Sequence, residues 1–176
     1  MPACRASNLD EKSLLVYVWK MQTKNTAATA QRSFLAPLRY GHDILEEVMR
    51  IIQDRGIEHA AISIIGAVSS ATFGYYDQEA KQYLQIKRDG RFELISCTGN
   101  VTLKQSAPFV HAHALFGDQS GTAFGGHLMS PSIIFAAEIH IQELTGQPPG
   151  RIYDETTGLY LWPPDNTALD NLKTKE

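Results

Sequence analysis

The sequence predicts an α+β domain built on a largely antiparallel β-sheet, and three observations carry that expectation. One segment, 43–55, has strong helical periodicity and both of its end signals. Most of the remainder consists of runs rich in small and β-branched residues, separated by Gly, Asp and Ser turn residues. Strand-like and helix-like stretches do not alternate regularly, as they would in a parallel α/β fold. The length of 176 residues suits one domain with a hydrophobic core, and the 43% apolar and 20% charged fractions are ordinary for a globular chain.

In chain order, "RSFLAPL" (32–38) reads as the first strand. In "GHDILEEVMRIIQDRG", Asp43 and Glu46 form a D-x-x-E capping pattern. Ile44, Leu45, Val48, Ile51 and Ile52 share one helical face, and Gly56 supplies a left-handed stop. "HAAISIIGAVSSATFGYY" is too long for one regular strand and is expected to bend near Gly66. Asp89-Gly90, between two alternating runs, is a strong two-residue hairpin signal. "PFVHAHALF" and "SGTAFGGHLM" flank a Gly/Asp/Ser turn and predict another hairpin. "SIIFAAEIHIQEL" ends in alternation, and "RIYDETTGLYLW" predicts a last short hairpin turning near Gly158. Residues 1–31 read as an N-terminal extension, in which "LLVYVW" could add an edge strand, and 163–176 as a disordered tail.

Composition narrows the function classes. The net charge of −3 argues against unaided gripping of nucleic acid; the local basic cluster is Lys87, Arg88 and Arg91. No apolar run reaches membrane-span length and the first residues do not resemble a signal peptide, so a cytoplasmic location without membrane contact is expected. Cys4 and Cys97 have no CxxC partner and read as incidental or buried thiols.

The chemistry concentrates in "HAHALFGDQSGTAFGGH" (111–127), which holds three of the six histidines. Residues i and i+2 of a strand share a face, so His111 and His113 project together, and the turn returns the chain so that His127 arrives on the neighbouring strand. Either the three imidazoles converge on a divalent ion, zinc or another imidazole-friendly transition metal, or they are three half-buried histidines on a sheet face. Gly125 and Gly126 are either a pocket floor or a β-bulge. Asp118 reads as turn chemistry, and His42 and His59 as surface residues. His140 shares a face with Glu138, either supporting the site or, the favoured reading, forming a hydrogen-bonded core pair. Glu93 in "FELIS" is either an inward-facing functional carboxylate or an outward strand residue.

Together "R…L..G.DILEEV" (32–48), "AAISIIGAV" (60–68), "GRFELISCTGNV" (90–101), "HAHALFGD" (111–118), "GGHL" (125–128), "EIHI" (138–141) and "R.YD..TGL" (151–159) resemble the prokaryotic PPC domain, the plant and prokaryote conserved domain, over residues 32–162. The resemblance implies an antiparallel sheet with flanking helices, assembly as a homotrimer, a DNA-binding or regulatory role, and a metal held by His111, His113 and His127. Plant relatives carry an AT-hook and largely replace the histidines. This chain has no "RGRP" and keeps them, which favours metal binding over minor-groove reading. The architecture also looks similar to acetolactate decarboxylase, another metal protein with clustered histidines. The alternative is therefore a metal-dependent enzyme, lyase- or hydrolase-like, or a sensor, acting on a small carbonyl or carboxylate ligand, with Glu93 as the candidate acid/base.

Overall fold

The computed structural model describes residues 28–163. The elements are β1 (Ala30–Leu38), α1 (Ile44–Arg55), β2 (Ala60–Asp77), β3 (Gln82–Lys104), β4 (Ala107–Gly117), β5 (Ala123–Leu144), β6 (Gly150–Asp154) and β7 (Leu159–Leu161). The α+β, β-rich expectation holds, but the flanking helices reduce to the single helix α1 among the described residues. The "LLVYVW" strand and the disordered tail lie outside them, as does Cys4.

Long antiparallel strands run in the order β1-β5-β2-β3-β6-β7, and β4 pairs with both β3 and β5. Because β2 also pairs with β3 and β5, four strands close into a ring, which leaves β4 without a free edge over its paired length. Helix α1 packs on β5, β4 and β1. It buries Ile44, Val48, Ile51 and Ile52 against Ile139, Ile141, Ala112, Ala114 and Phe116, the inward residues of the sheet.

The helix starts where the sequence placed it. Asp43 accepts from the Glu46 N–H at 3.1 Å and also from the Ser132 N–H at 2.6 Å and the Ser130 hydroxyl at 2.8 Å, so one carboxylate caps α1 and ties it to β5. Gly56 closes the helix at φ 62°.

One turn expectation needs correction. β3 runs straight through Asp89-Gly90, with β2 paired on either side of it: Ser70 faces Asp89 and Val68 faces Phe92. That register step holds one extra residue on β3, so Gly90, at φ 145°, sits at a bulge rather than a turn. The β2–β3 turn falls earlier, at residues 78–81, where Asp77 Oδ1 accepts from the Glu79 and Ala80 amides. The tight β3–β4 turn uses Gln105 and Ser106, both at positive φ, residues that give a weak turn signal. The irregularity expected near Gly66 is present: the register shifts between Ile64 and Gly66. A Cβ there would lie 2.2 Å from the Ala136 carbonyl oxygen.

Glu47 is 1% exposed, yet charged. Arg39 Nε donates to it at 2.9 and 3.0 Å, and Arg50 adds a pair at 3.3 Å. Hydrogen bonding from Arg39 outweighs the burial cost and holds its carboxyl down at about 2. In the unfolded chain the group protonates first as pH falls, so its stabilisation is complete above about pH 4.5 and is lost between there and about 2. Glu47→Gln is expected to cost about 2–4 kcal/mol in urea unfolding at neutral pH and to flatten the stability profile across that acid window.

Candidate metal centre

The β4–β5 hairpin positions the three histidines. Asp118 Oδ1 accepts from the Ser120 and Thr122 amides at 2.9 and 3.0 Å, and Gly121 takes φ 81°, so the five-residue turn is held by one carboxylate, as its sequence suggested. The turn sets Gly117 opposite Ala123, and the same register sets His113 directly opposite His127. His111, two residues back on β4, shares their face, while Ala112, Ala114 and Phe116 point into the core.

All three imidazoles converge. Their ring centroids are 5.3 Å (His111–His113), 5.1 Å (His111–His127) and 5.3 Å (His113–His127) apart. One nitrogen from each lies within 4.8 Å of the other two. Tetrahedral ligation at 2.0–2.1 Å needs donors about 3.3 Å apart, a closure that small ring rotations supply. Burial, followed by the neighbouring Arg151 and the other histidines, pushes His111 down to about 4. Burial and then His113 push His127 down to about 4 as well. Both are therefore neutral at pH 7, the form that offers a lone pair to a metal. His127 Nδ1 is buried with no hydrogen-bond partner among the described residues. A three-imidazole donor set with an orphaned buried nitrogen on His127 fits a divalent transition ion.

Residues that the sequence reading did not single out complete the site. Arg151 enters from β6, which pairs in parallel with the end of β3, Lys104 opposite Arg151. Its Nη2 donates to Asn100 Oδ1 at 3.0 Å and meets His111 Nδ1 at 3.3 Å; its Nη1 donates to the Tyr160 carbonyl at 3.3 Å. A guanidinium has no acceptor, so His111 Nδ1 must hold the lone pair in this arrangement and Nε2 the proton. Tyr83 stacks on His127 with centroids 4.8 Å apart. These groups line a cavity of about 420 Å³. Neither Arg151 nor Tyr83 has a local spacing signal; pairing with distant strands brings both to the histidines.

Other expectations are corrected. Gly125 and Gly126 form no bulge, since the register beside β4 is regular there, and neither lines the cavity beside the histidines. A Cβ would lie 2.0 Å from the Ala114 oxygen at Gly125 and 2.6 Å from the Gly74 oxygen at Gly126, so glycine permits the close backbone approach that seats His127. Glu138 and His140 are exposed and form no core pair; His140 Nε2 bonds the Ser33 hydroxyl at 2.7 Å. His59 is buried, not a surface residue, and burial lowers its pKa; His42 is exposed as expected. Cys97 is a buried free thiol, pushed up to about 12 by desolvation.

Glu93 takes the outward alternative. It is exposed and lines a separate hollow of about 840 Å³ with Leu35, Ile65, Ile95 and Glu138. It faces Gly117, four residues along β4 from His113. That is roughly 13 Å at the strand rise, so Glu93 is not brought to the histidines within one chain.

Residues 25–145 match the family model of the Plants and Prokaryotes Conserved (PCC) domain. A metal-containing protein from Archaeoglobus fulgidus is similar in structure, with 42% identity over 79% of this chain and 98% of that one, TM-score 0.75. A plant- and prokaryote-conserved protein from Pyrococcus horikoshii is 38% identical over 79% and 96% of the two chains, also at TM-score 0.75. A protein provisionally named DNA-binding, from Ralstonia eutropha, is 28% identical over 72% and 88%, with TM-score 0.65. No curated protein matches the chain significantly.

Substituting Gly126 by Ala is expected to cost about 1–3 kcal/mol in urea unfolding, because the new methyl meets backbone rather than a movable side chain. Gly150→Ala, with nothing within 4 Å of the new Cβ, is expected to stay within about 0.5 kcal/mol of the parent.

Proposed function

Since the chain belongs to the Plants and Prokaryotes Conserved domain family, we propose that it is a metal-binding member whose His111, His113 and His127 hold one divalent ion, zinc or a similar transition metal. The observation that carries this reading is the convergence of three ligand nitrogens within 4.8 Å. The relative from Archaeoglobus fulgidus, described as metal-containing, supports it. Three imidazoles leave a coordination position for a small ligand, and an ion so held supplies Lewis acidity there. Around that position the chain's own residues bind and orient: Arg151 presents a cation beside His111, and Tyr83 fixes the His127 ring by stacking. The site suits an enzyme or a sensor for a small carbonyl or carboxylate compound. Glu93 has no assigned proton-transfer role in this reading, given its distance along the sheet.

The assembly we assign is the homotrimer. Its support is the apolar outer surface: Leu35, Ile65 and Ile95, each at least half exposed, line one hollow, and such patches mark interaction sites. Among the described residues no helix is long and apolar enough to cross a membrane.

A second reading, DNA binding or regulation through DNA, has the Ralstonia eutropha relative and the exposed Lys87, Arg88 and Arg91 of β3 in its favour. Against it stands the net charge of −3.

Purified chain reconstituted with zinc and then desalted is expected to retain about one ion per chain, and His111→Ala and His127→Ala to retain about a tenth of that or less. An empty wild type, or variants that load as fully as it does, would overturn the assignment. In a gel-retardation titration with duplex DNA, this reading expects no shift at low salt and micromolar protein. The DNA reading expects a shift that weakens steeply as salt rises.

A further inference from the structure

The cavity beside the histidines has a consistent electrostatic and chemical character. Its about 420 Å³ volume falls in the range of small-molecule sites. Among its described lining residues are three cationic side chains, Arg151, Lys104 and Lys81, and no carboxylate. Its walls are aromatic. Lys104 Nζ lies 4.1 Å from the Tyr160 ring centroid and 5.1 Å from that of Phe109, and Tyr83 stacks on His127 at the triad. Cations interleaved with aromatic rings match an anionic group carried on a flat apolar body.

Arg151 is the group that links this cavity to the triad. It reaches His111 Nδ1 at 3.3 Å, so this contact depends on the lone pair at that nitrogen. An ion at Nδ1 takes that pair directly. An ion at Nε2 would leave the ring proton on Nδ1, which then has no lone pair to offer Arg151. In both cases Arg151 loses an acceptor, while its bonds to Asn100 and the Tyr160 carbonyl keep the side chain at the cavity. We propose that the cavity binds a small aromatic or unsaturated carboxylate, gripped by Arg151, and that filling the histidine site arms this grip by releasing Arg151 from His111. The coupling half of this proposal rests on the metal reading above. The anion-binding half does not.

The test is calorimetric titration of the full chain, metal-free and zinc-loaded, with benzoate, its neutral isostere benzamide, and inorganic phosphate. Benzoate is expected to bind saturably, with a Kd of about 1 mM or tighter, and at least about 10-fold more tightly than benzamide or phosphate. Zinc loading is expected to strengthen benzoate binding about 10-fold or more, a coupling of ordinary size. In the metal-free chain Arg151→Gln is expected to abolish the preference for benzoate over benzamide, and Arg151→Lys to restore part of it. Equal affinity for benzoate and benzamide, tighter capture of phosphate, or an Arg151→Gln variant that binds benzoate as the parent does would overturn the proposal. Identical benzoate affinity with and without bound zinc would overturn the coupling. Failure of the wild type to hold zinc would instead overturn the metal reading, while the metal-free titrations would still decide the anion site. Cooperative thermal unfolding of the Arg151 variants, at whatever midpoint loss of the bonds to Asn100 and the Tyr160 carbonyl leaves, separates loss of recognition from loss of fold.

Discussion

The pairing of β4 with β5 is the constraint on which the rest depends. A side-chain period of two means that a one-residue slip would turn His127 into the core and leave His111 and His113 without a third partner. Two features pin the register. Asp118 fixes the turn through the Ser120 and Thr122 amides. Gly125 and Gly126 let β5 lie against the Ala114 and Gly74 carbonyls, where any side chain would collide with backbone. Closure of the ring β2-β3-β4-β5 then removes the freedom by which a hairpin could slide.

The same packing sets the chemistry. Burial keeps His111 and His127 neutral, so their lone pairs are available where an exposed imidazole would be partly protonated near its ordinary pKa. The core on the other face, Ala112, Ala114 and Phe116 under α1, gives β4 a rigid backing, and rigid elements hold a ligand set better than loops do. The cationic cavity shares a wall with the triad because the parallel β3–β6 pairing lays Arg151 across the end of β3, within reach of Asn100 and His111. The place of Arg151 thus follows from where β3 ends, and the histidine cluster from the β4–β5 register.

What the sequence revealed follows contact range. Helix α1 was legible to its caps because Asp43, the apolar face and Gly56 are local signals. The His-x-His pair and its return hairpin were legible because alternation and a five-residue turn fix the geometry without help from elsewhere. Asp89-Gly90 misled because continuous pairing with β2 overrode a local turn preference and turned the glycine into a bulge. Glu138 and His140 misled because alternation shows two faces and does not say which is wet; here Ile139 and Ile141 took the core. His59 was misread as a surface residue because its burial comes from long-range packing at the sheet end, and Arg151 went unassigned because a parallel pairing some fifty residues away places it. The resemblance to the PPC domain was carried by motifs spread over most of the chain, and the family match bears it out.

Anomalous diffraction from a crystal of the zinc-loaded chain, collected on both sides of the zinc edge, tests the central claim most directly. The account predicts one strong peak per chain, about 2.0–2.1 Å from a nitrogen of each of His111, His113 and His127. A peak bound elsewhere, or rings turned apart with no peak between them, would contradict it.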